Sequence, residues 1–295
     1  MKTYSSIPAD ERKTDINCNL CGSSLRRLYW DCGNYTFSKC KNCNLIYQYP
    51  QPVQTDLSLR YDDNYFEYEM KNEEAFFDLM KKTLDDIQFS ARSSIFINSS
   101  PEFLDIGCAT GLLLSHMETL GWKGRGVELC PSSAEYGVNI RKLDIYNGTL
   151  EQAEYSDNQF SVVHSSHLIE HLTDPGAYIS EVYRILKPGG LLITTTPNSN
   201  SLQAKLFGKN WRSAIADHMF LFSLDTLKQL ITNQKFNVIQ TGTWGGLAAG
   251  IVPGVIKKPV DILAKKFGFG DVMVVLAQKY IPSNSISRVD THPRF

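Results

Sequence analysis

Two groups of residues in this 295-residue chain carry side chains able to do chemistry. Cys18-Asn-Leu-Cys21 and Cys40-Lys-Asn-Cys43 are two paired knuckles with 18 residues between them. Thiolates at that spacing bring two sulfurs round onto one ion, and two such turns complete the tetrahedron that zinc requires. Cys18, Cys21, Cys40 and Cys43 are therefore the expected ligands of a structural Zn2+, whose full shell leaves no open position for a substrate. Cys32, Cys108 and Cys130 fall outside this pattern. The second group is His164-Ser165-Ser166-His167-Leu168-Ile169-Glu170-His171, three histidines and a carboxylate in one short segment. An imidazole with its ordinary pKa of about 6.5 is largely neutral at cytosolic pH and can take a proton from a hydroxyl. Strand alternation turns His164 into the sheet as a core residue, which leaves His167, Glu170 and His171 for chemistry.

The elements around these groups follow from hydrophobic pattern and turn signals. Leu28-Tyr29-Trp30, Tyr35-Thr36-Phe37 and Leu45-Ile46-Tyr47 read as three short strands, enough to carry the two knuckles as a module over residues 1–50. Residues 51–98 form an aromatic, helical link in which Tyr61, Tyr65 and Phe66 could fold over a bound molecule or pack between the two parts. From about residue 99 short apolar strands alternate with helical patterns, the mark of a mainly parallel sheet covered on both faces. The predicted strands are 103–107, 124–129, 145–149, 160–165, 191–196, 238–243 and 272–278. Lys187-Pro188-Gly189-Gly190 should stop the helix 175–186 and turn the chain into the next strand.

Phe103-Leu104-Asp105-Ile106-Gly107-Cys108-Ala109-Thr110-Gly111 is a buried strand running into a glycine turn and then a helix, 112–120. In an open parallel sheet, ligands bind beyond the carboxyl ends of strands, and a turn lacking side chains lets backbone approach them. The glycines do not make the G-x-G-x-x-G of a pyrophosphate site and no Walker lysine follows. Glu128 ends the next strand about 20 residues after the first turn, where a carboxylate can accept two hydrogen bonds from a ribose diol.

Through LDIGCATG at 104–111, GVE at 126–128, EHL at 170–172 and ILKPGG at 185–190, the chain resembles the class I S-adenosylmethionine (SAM) dependent methyltransferases over roughly residues 99–245. With the cysteine module and the aromatic segment 61–68 it looks like the zinc-ribbon methyltransferases of bacterial sugar and cell-surface polysaccharide pathways. The resemblance implies an α/β fold, a Rossmann-like, mainly parallel seven-stranded sheet with helices on both faces, plus a small N-terminal zinc ribbon, with residues 99–295 as the SAM-binding domain. It implies that Asp105, Gly107, Cys108, Ala109 and Gly111 surround the methionine moiety, with Glu128 on the ribose. Leu129 would pack on adenine, and Thr149, Leu150 and Glu151 would border it. His171 is the favoured base by this resemblance and Glu170 its neighbour or alternative. His218, in Asp217-His218-Met219-Phe220-Leu221-Phe222-Ser223, would lie beside the acceptor, with Ser223 as a helix N-cap. Ala109 stands where the family has glycine and Ser161 where it often has aspartate.

Bulk properties narrow the partners. Thirty Lys and Arg against 31 Asp and Glu give no positive field of the kind that accompanies phosphate-backbone binding, so nucleic acid is disfavoured. The N-terminus lacks the apolar core of a secretory signal and no stretch approaches the ~20 apolar residues of a membrane span, so a cytoplasmic protein is expected. Between 245 and 270 an insertion includes a basic amphipathic segment, 256–267, able to form a plain surface helix, cover the site, make a homo-oligomer contact or rest on a membrane surface. The polar tail 282–295 is expected to be loosely held. The function expected from these readings is methyl transfer from SAM to a small-molecule acceptor, foremost a sugar, nucleotide-sugar or polysaccharide intermediate. The alternatives are a ribosomal RNA methyltransferase and a non-catalytic SAM-binding scaffold.

Overall fold

The structure is a computed structural model that describes residues 13–53, 63–99, 101–246 and 254–281. Tyr61 and the tail beyond residue 281 lie outside the described residues. In chain order the elements are β1 (Lys13–Thr14), β2 (Arg26–Asp31), β3 (Thr36–Cys40), β4 (Ile46–Gln48), β5 (Gln51–Pro52), α1 (Asp63–Asp86), α2 (Phe89–Ser93), β6 (Glu102–Ile106), α3 (Leu112–Thr119), β7 (Lys123–Glu128), α4 (Pro131–Asn139), β8 (Ile145–Asn147) and β9 (Phe160–Ser166). They continue with α5 (Pro175–Ile185), β10 (Leu186–Pro197), α6 (Leu202–Phe207), β11 (Phe220–Leu221), α7 (Leu224–Asn233), β12 (Phe236–Trp244), α8 (Gly254–Phe267) and β13 (Val272–Lys279).

The main sheet has seven strands in the order β12-β13-β10-β9-β6-β7-β8, parallel except for β13, which runs antiparallel to both neighbours. Side-chain alternation divides its apolar residues between two cores. Leu104, Ile106, Leu192, Met273 and Val275 join residues of α5 and α7 on one face. Phe103, Leu191, Ile193, Val272 and Val274 join residues of α1 and α3 on the other. All seven expected strands are present. Lys187-Pro188-Gly189-Gly190 differs from expectation: the chain is already extended there, and β10 absorbs these residues as an irregularity in its register with β9 between Leu186 and Leu191. A proline and two glycines end the helix as expected, yet they fit a bulged strand start, where a ladder bond can be missed.

The cysteine module folds as β2, β3 and β4, and its sheet takes a fourth strand, β11, from the far end of the chain, in the order β11-β4-β3-β2. Phe37 and Ile46 bury themselves against Ala204, Trp211, Ala214 and Leu221, while Cys18, Leu20, Cys40, Leu45 and Tyr47 belong to the same core as α5 and α7. Sheet and core therefore run continuously from the module into the body. The insertion contains α8, whose Ala264 is buried while Ile262, Leu263 and Phe267 are exposed. Among the described residues no helix is long and apolar enough to cross a membrane.

Candidate functional site

The glycine turn leaves the carboxyl end of β6 in a left-handed backbone, with φ of +73° at Gly107, +49° at Ala109 and +80° at Gly111. A Cβ on Gly107 would meet only the Leu168 side chain, at 3.9 Å, so the turn leaves room for a ligand; a Cβ on Gly111 would drive into Leu143. Ala109 adopts a conformation that costs an L-residue roughly 1–2 kcal/mol. Glu128 holds it there: Oε2 accepts from the Ala109 amide at 2.9 Å and Oε1 from the Cys130 amide at 2.7 Å. The carboxylate is 4% exposed. Burial pushes its pKa up against the pull of those amides. Each oxygen keeps a further lone pair, so the group can still accept from a ribose diol.

α1 lies across this turn. Glu73 bonds Thr110 Oγ1 and pairs with Arg141 at 2.7 Å, Asp63 accepts from Ser132 at 2.6 Å, and Phe66 packs on Tyr136 of α4. Between α1 and the turn remains a cavity of about 30 Å³ lined by Glu69, Glu73, Cys108, Ala109, Thr110 and Leu113 among others. Burial beside Glu128 raises the Glu69 carboxyl to about 7. A larger recess of about 550 Å³, walled by Glu102, Arg125, Tyr155 and Lys187, sits at the amino ends of β6 and β10. That is the wrong end of a parallel sheet for a ligand.

At the carboxyl end of β9 the chain makes a tight turn through His167, φ +53°, into a single 3-10 turn Ile169–His171. Glu170 is buried, and Thr196 Oγ1 donates to its Oε2 at 2.8 Å while His167 Nδ1 donates to its Oε1 at 3.2 Å. Burial alone would raise this carboxyl, but the His167 bond and the imidazoles of His167, His171 and His218 hold it down to about 2. His171 Nδ1 donates to the Asp217 carbonyl at 3.0 Å and His218 Nδ1 to the Ser213 carbonyl at 2.8 Å. Neutral rings bonded this way keep their lone pairs on Nε2. The two rings meet edge to face at 4.6 Å. Burial and the neighbouring His171 lower His218 to about 3, so it stays neutral.

The four cysteines are unbridged. Cys18 Sγ lies 3.4 Å from Cys43 Sγ and Cys21 Sγ 3.6 Å from Cys40 Sγ, and all four lie within 4.8 Å of one another. A tetrahedron with Zn–S bonds of about 2.3 Å has S–S edges of about 3.8 Å, so the donor set fits zinc. Glu170, His171 and His218 also offer three ligating atoms within 4.8 Å; with both Nδ1 atoms hydrogen-bonded, the donors left open on the rings are the two Nε2 lone pairs.

Most expected site residues gather at one end of the sheet. Gly107, Cys108, Ala109 and Gly111 form the turn, Glu128 supports it, and His167, Glu170, His171 and His218 form the facing network. Asp105 is buried within the sheet and its Oδ1 lies 2.6 Å from His164 Nδ1, while the buried His164 Nε2 has no hydrogen-bond partner among the described residues. The third expected strand stops at Asn147, two residues early, because Thr149 and Gln152 cap a turn of their own. Leu129 and Thr149 are half-buried, Leu150 packs into the core and Glu151 is exposed. Ser223 caps α7 as expected. Glu69, Glu73 and Thr196 escaped the sequence reading. For Thr196 a signal existed, since a run of three threonines at the carboxyl end of a buried strand is polar where an apolar strand should end.

Comparison with known proteins covers the body that carries this site. A family model described as a methyltransferase domain matches residues 74–241, more than half of the chain. A ubiquinone biosynthesis O-methyltransferase from Cereibacter sphaeroides is 35% identical over 119 residues, 37% of this chain and 47% of that protein. A protein of the same name from Bradyrhizobium is 34% identical over 107 residues, 35% of this chain and 42% of the relative. The chain thus spans about half the length of these curated relatives. Among solved structures, a chain from the complex of the Haloferax volcanii Trm112 methyltransferase activator with a methyltransferase superposes with a TM-score of 0.57 at 16% identity, over 75% of this chain and 96% of that one. A SAM-dependent methyltransferase from Archaeoglobus fulgidus gives 0.51 at 19% identity, over 73% and 99%. At these identities the structural matches establish the fold.

Proposed function

We propose, from the premise that this chain belongs to the methyltransferase-domain family, that it transfers the methyl group of SAM to a hydroxyl oxygen of a small molecule. The observation that carries this reading is the meeting of two turns: Leu168, in the His167–His171 segment, is the side chain nearest the open face of Gly107. Cofactor cradle and proton-accepting network therefore adjoin at the carboxyl end of the sheet, where an in-line displacement needs them. The residues present fit SAM: a side-chain-free approach at Gly107, a carboxylate at Glu128 and polar groups above them on α1. The cavity, lined on α1 by Glu69, Glu73, Phe76 and Met80, is far smaller than the cofactor, and the proposal requires this stretch of α1 to give way when SAM enters.

SAM supplies an electrophilic methyl on a sulfonium, and the chain's task is to place the acceptor and remove its proton. His171 takes that proton on Nε2, since its Nδ1 is already committed to the Asp217 carbonyl. Buried Glu170 stabilises the imidazolium that forms, His167 and Thr196 hold Glu170, and neutral His218 fixes the His171 ring. The four cysteines hold a structural zinc.

The O-methyltransferase name of the relatives favours an oxygen acceptor. The carbohydrate class expected from the sequence draws no support from them, and net charge of −1 does not favour RNA. The test is calorimetric titration with SAM and its demethylated product, followed by radiolabelled methyl transfer to dihydroxybenzoates and to nucleotide sugars. Micromolar binding with transfer to one acceptor class supports the proposal. Binding without transfer to either class would favour the scaffold reading, and no binding of SAM would overturn the reading altogether.

A further inference from the structure

We infer that Gln48, on the third strand of the cysteine module, is a positioning residue for His171, and that the module is built into the acceptor side of the site; the catalytic part of this inference rests on the function proposed above. Gln48 is 2% exposed and stands at the end of β4, the strand that pairs with β11. Its carboxamide Nε2 donates to the Ala216 carbonyl at 2.5 Å and to the His218 carbonyl at 3.2 Å. Its backbone amide donates to the Met219 carbonyl at 2.9 Å. One amide group thus grips the carbonyls on either side of Asp217, using both of its N–H donors.

The consequence lies in the carbonyl between them. With the peptide oxygens of Ala216 and His218 turned toward the module, the Asp217 oxygen is left for His171 Nδ1 at 3.0 Å. That bond selects the tautomer whose lone pair faces the acceptor. The same segment is tied to the 3-10 turn by the Met219 amide, which donates to the Glu170 carbonyl at 2.8 Å. From the zinc side, Cys40 ends β3, β3 pairs with β4, and β4 ends in Gln48. The chain of contacts from the knuckles to the imidazole is therefore continuous. By contrast Tyr35, whose hydroxyl donates to the Ala214 carbonyl at 2.8 Å, joins module and body without touching the gripped peptides.

Replacing the amide by an isosteric apolar group separates these roles. In Gln48→Met both donors vanish while volume is kept, and in the milder Gln48→Asn the shortened side chain reaches only one carbonyl. Imidazole tautomers are read by long-range proton–nitrogen NMR on the zinc-loaded protein, alongside kcat and SAM affinity. Gln48→Met is expected to shift His171 away from the pure Nδ1–H form and lower kcat by ~10–100-fold, a size typical of small misplacements in a reacting pair. SAM affinity should stay within about twofold, because uniform binding is untouched. Gln48→Asn should fall between, and Tyr35→Phe should alter neither tautomer nor kcat. An unchanged His171 tautomer in Gln48→Met, or in Gln48→Asn should Gln48→Met not fold, overturns the inference, as does an equal loss of kcat in Tyr35→Phe. If the unaltered protein fails to bind SAM, the proposed function falls, while the tautomer measurement still decides the role of Gln48.

Discussion

The proposed cofactor side and the proposed acceptor side of this site occupy the same end of one sheet but are assembled in opposite ways. The cofactor side is local: β6, the glycine turn and α3 follow one another within about 20 residues, and Glu128 ends the adjacent strand. The acceptor side is collected from distance. Glu170 and His171 come from the turn after β9, His218 from the segment before β11, Thr196 from β10, and Gln48 crosses 168 and 170 residues of sequence to hold that segment. The contrast teaches that cofactor binding should withstand damage to the cysteine module that abolishes acceptor chemistry.

Removing one of the four proposed zinc ligands presses hardest on this difference. Cys40→Ser opens the thiolate shell beneath β3, and loss of a structural metal ranks with the most destabilising single changes, on the order of 4–5 kcal/mol. Metal analysis and denaturant melts should show zinc lost and the midpoint lowered. Methyl transfer should vanish while SAM affinity at low temperature falls only a few-fold. Equal collapse of both functions would erase the distinction between the two sides.

A smaller effect concerns His218. Its folded pKa of about 3 lies below the unfolded value of 6.5, so the unfolded chain binds the proton first. The stability this group contributes is present above pH 6.5 and drains away as pH falls toward 3, at about 1.4 kcal/mol per pH unit. In His218→Gln that share is gone, and denaturant midpoints measured from pH 7 to pH 5 should fall less steeply than in the unaltered protein. Parallel slopes would mean that His218 is not buried as a neutral ring.

The smallest expected effect lies on the cofactor side. Ala109→Gly relieves a left-handed alanine, and equilibrium unfolding should show a gain of roughly 1 kcal/mol, partly offset by the greater freedom of glycine in the unfolded chain. A loss of stability would show that the Ala109 methyl packs usefully against its surroundings.

These two modes of assembly also explain what could be read beforehand. The seven strands, the glycine turn, Glu128 and the four cysteines were legible because each is signalled by residues close in sequence: apolar runs, a strand-turn-helix, a C-x2-C repeat. The left-handed backbone at Ala109 was signalled only through the resemblance, which has glycine there, because an alanine carries no mark of strain of its own. The bulged start of β10 was hidden because proline and glycine serve turns and strand irregularities equally well. Gln48 was invisible for a different reason: a polar residue near the end of a short strand gains its role only from carbonyls that tertiary packing brings to it. The Asp217 carbonyl, as backbone, left no trace in residue identity at all.

The most direct test of the account is a paired measurement on His171→Ala, with SAM affinity by calorimetry and turnover on the acceptor found by screening. Loss of a general base at a site whose cofactor cradle is independent predicts a fall in kcat of ~100-fold or more with SAM affinity unchanged within about twofold. Turnover near that of the unaltered protein, or a matching loss of SAM affinity, would contradict the placement of the base and the separation of the two sides.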